Sequence, residues 1–227
     1  MGDKGTVLLI HGGLWEDVSA DRFWGRTGVI DGLERRGLTV IAPDRLRRAP
    51  DWTTEARHIA QVVAGQVDAP AGGAGAPHAD GRPLTVVGGS FGCAVAVRMA
   101  LEFPRLAGRL VLAWPAALAD QFTTIRMRSG LSRAGARGAT LNALLGTAAV
   151  PSATDAEVAL LDLPVGIVPA LPPGPLHPRS AVDALLRLLP SAVELPGCPE
   201  AHRPEFAPQL EGFLDVVAAF AEGSSGA

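Results

Sequence analysis

A chain of 227 residues, 48% of them hydrophobic, is long enough to bury a substantial core in one domain, so a single unit over 1–227 is expected. A formal net charge of -3, a pI near 5.9 and arginines scattered instead of striped along one face exclude a basic footprint and argue against nucleic acid as a partner. No apolar run is long enough for a transmembrane helix, the first residues carry no secretion signal, and Cys93 and Cys198 form neither a disulfide framework nor a metal-ligand cluster. These features point to a cytoplasmic protein that works on a small molecule without metal, cofactor or membrane.

In chain order, 6–10 (Thr-Val-Leu-Leu-Ile) is a continuous apolar run, as expected of a central parallel strand buried on both faces, and it ends at His11-Gly12-Gly13. A helix is expected over 21–36, with Asp21 as N-cap and Gly37 as its stop. A strand over 38–42 closes at Pro43-Asp44, and Arg45 to Arg48 reads as a solvated loop or a face for an anionic substrate. A second helix follows over 53–67, with His58 at its surface, and then a Gly/Ala/Pro stretch without periodicity, 69–83, expected as a mobile loop.

The most informative stretch comes next. An apolar strand over 84–87 runs through Gly88-Gly89-Ser90-Phe91-Gly92 into a helix rich in alanine and valine. Gly-x-Ser-x-Gly between a strand and a helix describes a nucleophile elbow, in which a strained serine stands at the carboxyl edge of the sheet. The helix start behind it favours negative charge. Cys93, one turn into that helix, reads as a small buried packing thiol.

A strand over 109–113 then ends at Trp114-Pro115. Over 116–163 the strand pattern gives way to helical pieces at 122–131, 139–145 and 154–161. Strand character resumes at 164–168. A proline-rich loop over 169–178, a helix over 179–189, a strand over 192–195, a closing helix over 206–221 and a frayed tail over 223–227 complete the chain. The alternation predicts an α/β fold: a mostly parallel sheet of about six strands with helices on both faces.

On the elbow and the His-Gly-Gly loop, the chain resembles the α/β-hydrolase superfamily over nearly its whole length, without the family's antiparallel amino-terminal hairpin. The resemblance implies an oxyanion hole built from the backbone N–H of Gly13 or Leu14 and that of Phe91, worth several kcal/mol of barrier. It also implies that 116–163 is a short helical cap. The substrate-binding set is then His11, Gly13, Leu14, Phe91 and Trp114, with His11 holding its loop and taking no part in proton transfer.

The triad of the family follows in the order serine, acid, histidine. Its acid commonly opens an Asp-Pro-Leu-His-Pro segment, whereas this chain has Gly174-Pro175-Leu176-His177-Pro178, so the orienting carboxylate is missing from its usual place. The histidine normally ends a Pro-Gly-x-Gly-His segment; here Glu200 stands near that position, with His202 two residues later. His202 is the first choice of base for Ser90 and His177 the second. Asp120, Glu200 and Asp44 are the candidate acids, Asp120 because some members carry theirs after the strand that follows the elbow.

Two functions are consistent with this pattern. One is a serine hydrolase acting on a small ester, thioester or lactone through Ser90. The alternative, motivated by the missing acid, is a hydrolase fold that has lost hydrolysis and performs a cyclisation, elimination or acyl transfer, or serves as a binding or scaffold protein.

Overall fold

The computed structural model describes residues 5–67 and 83–223. The expected loop at 69–83, apart from Pro83, and the tail beyond Gly223 lie outside the described residues. Among the described residues six strands form one parallel sheet: β1 (Thr6–Ile10), β2 (Thr39–Ile41), β3 (Leu84–Gly89), β4 (Ala107–Ala113), β5 (Val165–Val168) and β6 (Ala192–Glu194), in the spatial order β2-β1-β3-β4-β5-β6. The order reverses between β1 and β3, and the crevice outside the carboxyl ends of strands at such a reversal is where open α/β sheets bind ligands.

The helices are α1 (Val29–Arg35), α2 (Trp52–Val67), α3 (Gly92–Glu102), α4 (Gln121–Arg133), α5 (Gly138–Leu144), α6 (Asp155–Val158), α7 (Arg179–Leu188) and α8 (Leu210–Ala221). Side chains of β1 alternate between two buried clusters, as a strand's period of two requires. Leu8 and Ile10 belong to one buried cluster with residues of α2, α3 and α7, while Val7 and Leu9 belong to the other with residues of α1 and α8. Helices therefore cover both faces of the sheet, as its apolar strands demand.

Local structure departs from expectation at 21–36. The single helix splits into a π-helical turn, Asp21–Gly25, and α1, because Gly28 takes φ +83° between them. Asp21 is not the cap: it pairs with Arg26, and Ser19 Oγ instead accepts the Arg22 amide at 3.1 Å. The expected closing helix likewise begins as a separate 3-10 turn, Pro204–Gln209, before α8. Among the described residues no helix is long and apolar enough to cross a membrane.

Candidate active site

Ser90 follows β3 with φ +53°, a left-handed conformation that costs a non-glycine residue about 1–2 kcal/mol. Its glycine neighbours are required by close approach. A Cβ on Gly88 would stand 2.6 Å from the Gly92 carbonyl oxygen, and one on Gly92 would strike the Ile10 carbonyl of the neighbouring strand. The Ser90 amide is tied to Ala113 O at 2.9 Å, so the serine is held by the strand beside its own. The loop after β1 passes directly alongside: a Cβ on Gly12 would lie 3.0 Å from Ser90 Cβ.

Ser90 Oγ lies 2.9 Å from His177 Nε2, and His177 Nδ1 lies 2.9 Å from Glu200 Oε1. The histidine comes from the loop after β5 and the carboxylate from the loop after β6. These strands are neighbours, and their loops continue to pair beyond them through Leu171 N–H to Cys198 O (3.0 Å) and Cys198 N–H to Pro169 O (3.1 Å). Leu176 O accepts the Ala117 amide at 3.0 Å, which fixes the histidine's neighbour against the segment after β4.

The protonation pattern follows from the partners. Burial of Glu200, 2% exposed, pushes its carboxyl up, but the bond to His177, one from its own backbone amide and the nearby positive charge outweigh this and hold it below the ordinary carboxylate value. An ionised carboxylate only accepts, so His177 Nδ1 carries the proton and donates it to Glu200. In the neutral ring Nε2 is the acceptor nitrogen, placed to accept from the Ser90 hydroxyl. Arg203 Nε approaches Glu200 Oε2 to 2.5 Å as an ion-pair contact without hydrogen-bond alignment, so this oxygen has a neutralising cation but no donor.

Ser90, Phe91, His177 and Glu200 open on a cavity of about 760 Å³. Val18, Phe23, Met127 and Leu176 give it apolar walls, and Glu16, Asp17, Arg22 and His202 bring polar groups to it. Gly13 also lines it. The Phe91 amide sits at the N-cap of α3, among the amides that a helix leaves without an intrahelical partner. Among the described residues no cluster of His, Cys, Asp or Glu is arranged to hold a metal ion.

Several sequence-based expectations need correction. His202 lines the cavity but is exposed, because the turn closed by Arg203 N–H to Glu200 O (2.8 Å) brings Glu200 inward and leaves His202 outside. Asp120 caps α4 instead of orienting a base: its carboxylate takes the Thr123 amide at 2.8 Å and the Thr123 hydroxyl at 2.5 Å. Asp44 accepts the Ala20 amide at 2.7 Å. The carboxylate that stands beside His177 is that of Glu200, from the loop after β6, and not one at position 174.

Trp114 does not reach the cavity. It is wholly buried against Trp24, Phe206 and Phe213, and its indole N–H holds Cys198 O at 3.0 Å, which steadies the β6 loop from below. The Leu14 side chain is buried too and faces a separate cleft of about 180 Å³. Arg45 is no solvated residue: it is 8% exposed and paired with buried Glu55. Cys93 is fully buried in α3, and burial pushes its thiol far above the ordinary value.

The pairing of His177 with Glu200 had a signal in the sequence. Where the resemblance leads one to expect an acid there is a nearby histidine, and where it leads one to expect a histidine there is a glutamate. Neither departure is informative alone; together they describe one exchange.

No family model matches the chain, and no curated protein matches it. Among solved structures it is similar to the meta-cleavage product hydrolase CumD of Pseudomonas fluorescens IP01, at 17% identity over 99% of this chain and 93% of that one, TM-score 0.68. It is also similar to a serine hydrolase of Cycloclasticus zankles (14%, 98% and 92%, TM-score 0.65) and to NosK of Streptomyces actuosus (18%, 96% and 98%, TM-score 0.63). At such identities a likeness speaks for the fold alone, and the fold shared here is that of the α/β-hydrolases.

Proposed function

We propose that this α/β-hydrolase-fold protein is a serine hydrolase that cleaves a small ester, thioester or lactone, with Ser90 as nucleophile, His177 as general base and acid, and Glu200 as the orienting carboxylate. The observation that carries the reading is the continuous relay from the Ser90 hydroxyl through His177 to buried Glu200, with 2.9 Å at each step, starting from a strained elbow at a cavity wall.

In this reading Ser90 Oγ attacks the carbonyl carbon as its proton passes to His177 Nε2. The carbonyl π pair moves onto oxygen, which the Gly13 and Phe91 amides receive. Collapse of the tetrahedral intermediate breaks the bond to the leaving alkoxide or thiolate, which takes the proton from Nε2. Water, deprotonated by His177 Nε2, then attacks the acyl carbon, and collapse of this second intermediate breaks its bond to Ser90 Oγ, which takes the proton back from Nε2 as the acid is released. Glu200 holds the imidazole in the productive tautomer and stabilises the imidazolium without itself taking the proton. The cavity volume suits a small-molecule acyl group lying along Val18, Phe23, Met127 and Leu176, with α4 of the helical cap, 116–163, closing one side through Met127.

Glu200 beside His177 supplies the carboxylate whose absence motivated the non-hydrolytic alternative. The direct test is labelling with a fluorophosphonate probe. The expected result is one adduct, mapped to Ser90 and absent from Ser90→Ala. An intact protein left unlabelled where a control hydrolase reacts would overturn the assignment.

A further inference from the structure

Arg45 and Glu55 lie outside the relay yet are almost wholly buried, at 8% and 1% exposed. A buried ion pair carries a large desolvation cost and is often no more stabilising than apolar residues of the same volume, which directs attention to the other groups the arginine holds. The Glu55 carboxylate takes Arg45 Nε at 2.7 Å and Nη2 at 3.0 Å. The remaining nitrogen, Nη1, donates to two carbonyls of the loop after β1, His11 O at 2.9 Å and Gly13 O at 2.7 Å.

The Arg45 main-chain N–H donates to His11 Nε2 at 3.0 Å, which leaves the single ring proton on Nδ1, 2.8 Å from Gly12 O. Three consecutive carbonyls, those of His11, Gly12 and Gly13, are therefore each held by a donor. Because a peptide unit is planar and trans, holding a carbonyl also fixes the N–H on the opposite edge of the same plane. The bond to Gly12 O sets the direction of the Gly13 N–H, and the bond to Gly13 O sets that of the Leu14 N–H. These are the two amides from which the serine-hydrolase reading draws one oxyanion donor, in a loop that runs against Ser90.

We infer that Arg45, clamped by Glu55, is a positioning residue for the oxyanion hole: it holds the peptides after β1 so that their donor is already aimed when the tetrahedral intermediate forms. This rests on the serine-hydrolase reading above. Lysine is no substitute, since a point charge on a flexible stem cannot hold two carbonyls and a bidentate carboxylate at once.

The test is the double variant Arg45→Met/Glu55→Leu, which removes both charges and strands neither. Expected are a melting temperature near that of the wild type, KM for a p-nitrophenyl ester within about threefold, and kcat lower by about 10–100-fold. The affinity for a trifluoromethyl ketone, whose hemiketal oxygen occupies the hole, should fall by the same factor as kcat. Wild-type kcat and ketone affinity in the double variant would overturn the inference and leave the pair as core packing. Should the double variant fail to fold, Arg45→Lys decides in the same way: a joint fall in kcat and ketone affinity supports the brace, and wild-type values remove it. Failure of the Ser90 reading is distinguishable, because it appears in the wild type as an inert, unlabelled protein and takes the brace with it.

Discussion

The loops after β5 and β6 leave neighbouring strands at the same edge of the sheet, yet they carry opposite chemistry from that expected by resemblance. The β5 loop presents His177, the proposed base, where the resemblance implies a carboxylate; the β6 loop presents Glu200 where the resemblance implies a histidine. What a relay needs is an imidazole between a hydroxyl and a carboxylate at hydrogen-bond distance. Two adjacent loops meet that need in either assignment, provided the imidazole reaches the serine and the carboxylate lies behind it.

The difference between the two loops should show most strongly at their histidines. Replacing His177 with Ala should lower kcat/KM by about 10³-fold or more, whereas His202→Ala should stay within about threefold. Measuring both on one activated ester decides the matter, and the reverse ranking would return the role to the β6 loop. Glu200→Gln keeps the shape but loses the charge that sets the tautomer, for an expected loss of about 10²–10⁴-fold in kcat with little change in KM. An active Glu200→Gln variant would mean that the carboxylate is only structural.

A smaller effect concerns the loop after β1. Burial and then the Arg45 cation lower the His11 pKa from 6.5 to about 4, against the opposing pull of Gly12 O and Asp44. Between those values the unfolded chain binds a proton that the native state refuses. Stability should therefore be complete above pH 6.5 and decline towards pH 4, by roughly 3 kcal/mol in all. Glu200, held below the ordinary carboxylate value, adds its own loss at still lower pH as it protonates. Urea unfolding at pH 7, 5.5 and 4.5 should show the decline, flatter in His11→Asn; equal slopes would show that His11 is not its source.

How far each part was legible in the sequence depended on the range of the interactions that decide it. The strands and most helices were readable because continuous apolar runs and turn residues act over a few positions, as 6–10 and the glycines around Ser90 illustrate. The break at Gly28 was less visible, since a glycine inside a periodic pattern only weakly signals φ > 0. Trp114 follows β4 directly, a position that makes it read as a wall of the site, but its indole turns into the aromatic cluster under Cys198. Arg45 sat in a run of arginines that looked solvated, and nothing local announces that Glu55, ten residues on, waits in the core.

The amino-acid sequence by itself determined the parallel sheet and the elbow, because hydrophobic periodicity and the steric needs of a strand–turn–helix are local properties of the chain. Which histidine meets Ser90, and which carboxylate meets that histidine, was decided only when β5 and β6 came to lie side by side. Residues 177 and 200 are far apart along the chain, and the same turn that buries Glu200 leaves His202 in solvent. A hydrogen bond is a matter of about 3 Å, and distances on that scale between separate loops exist only after the sheet has assembled.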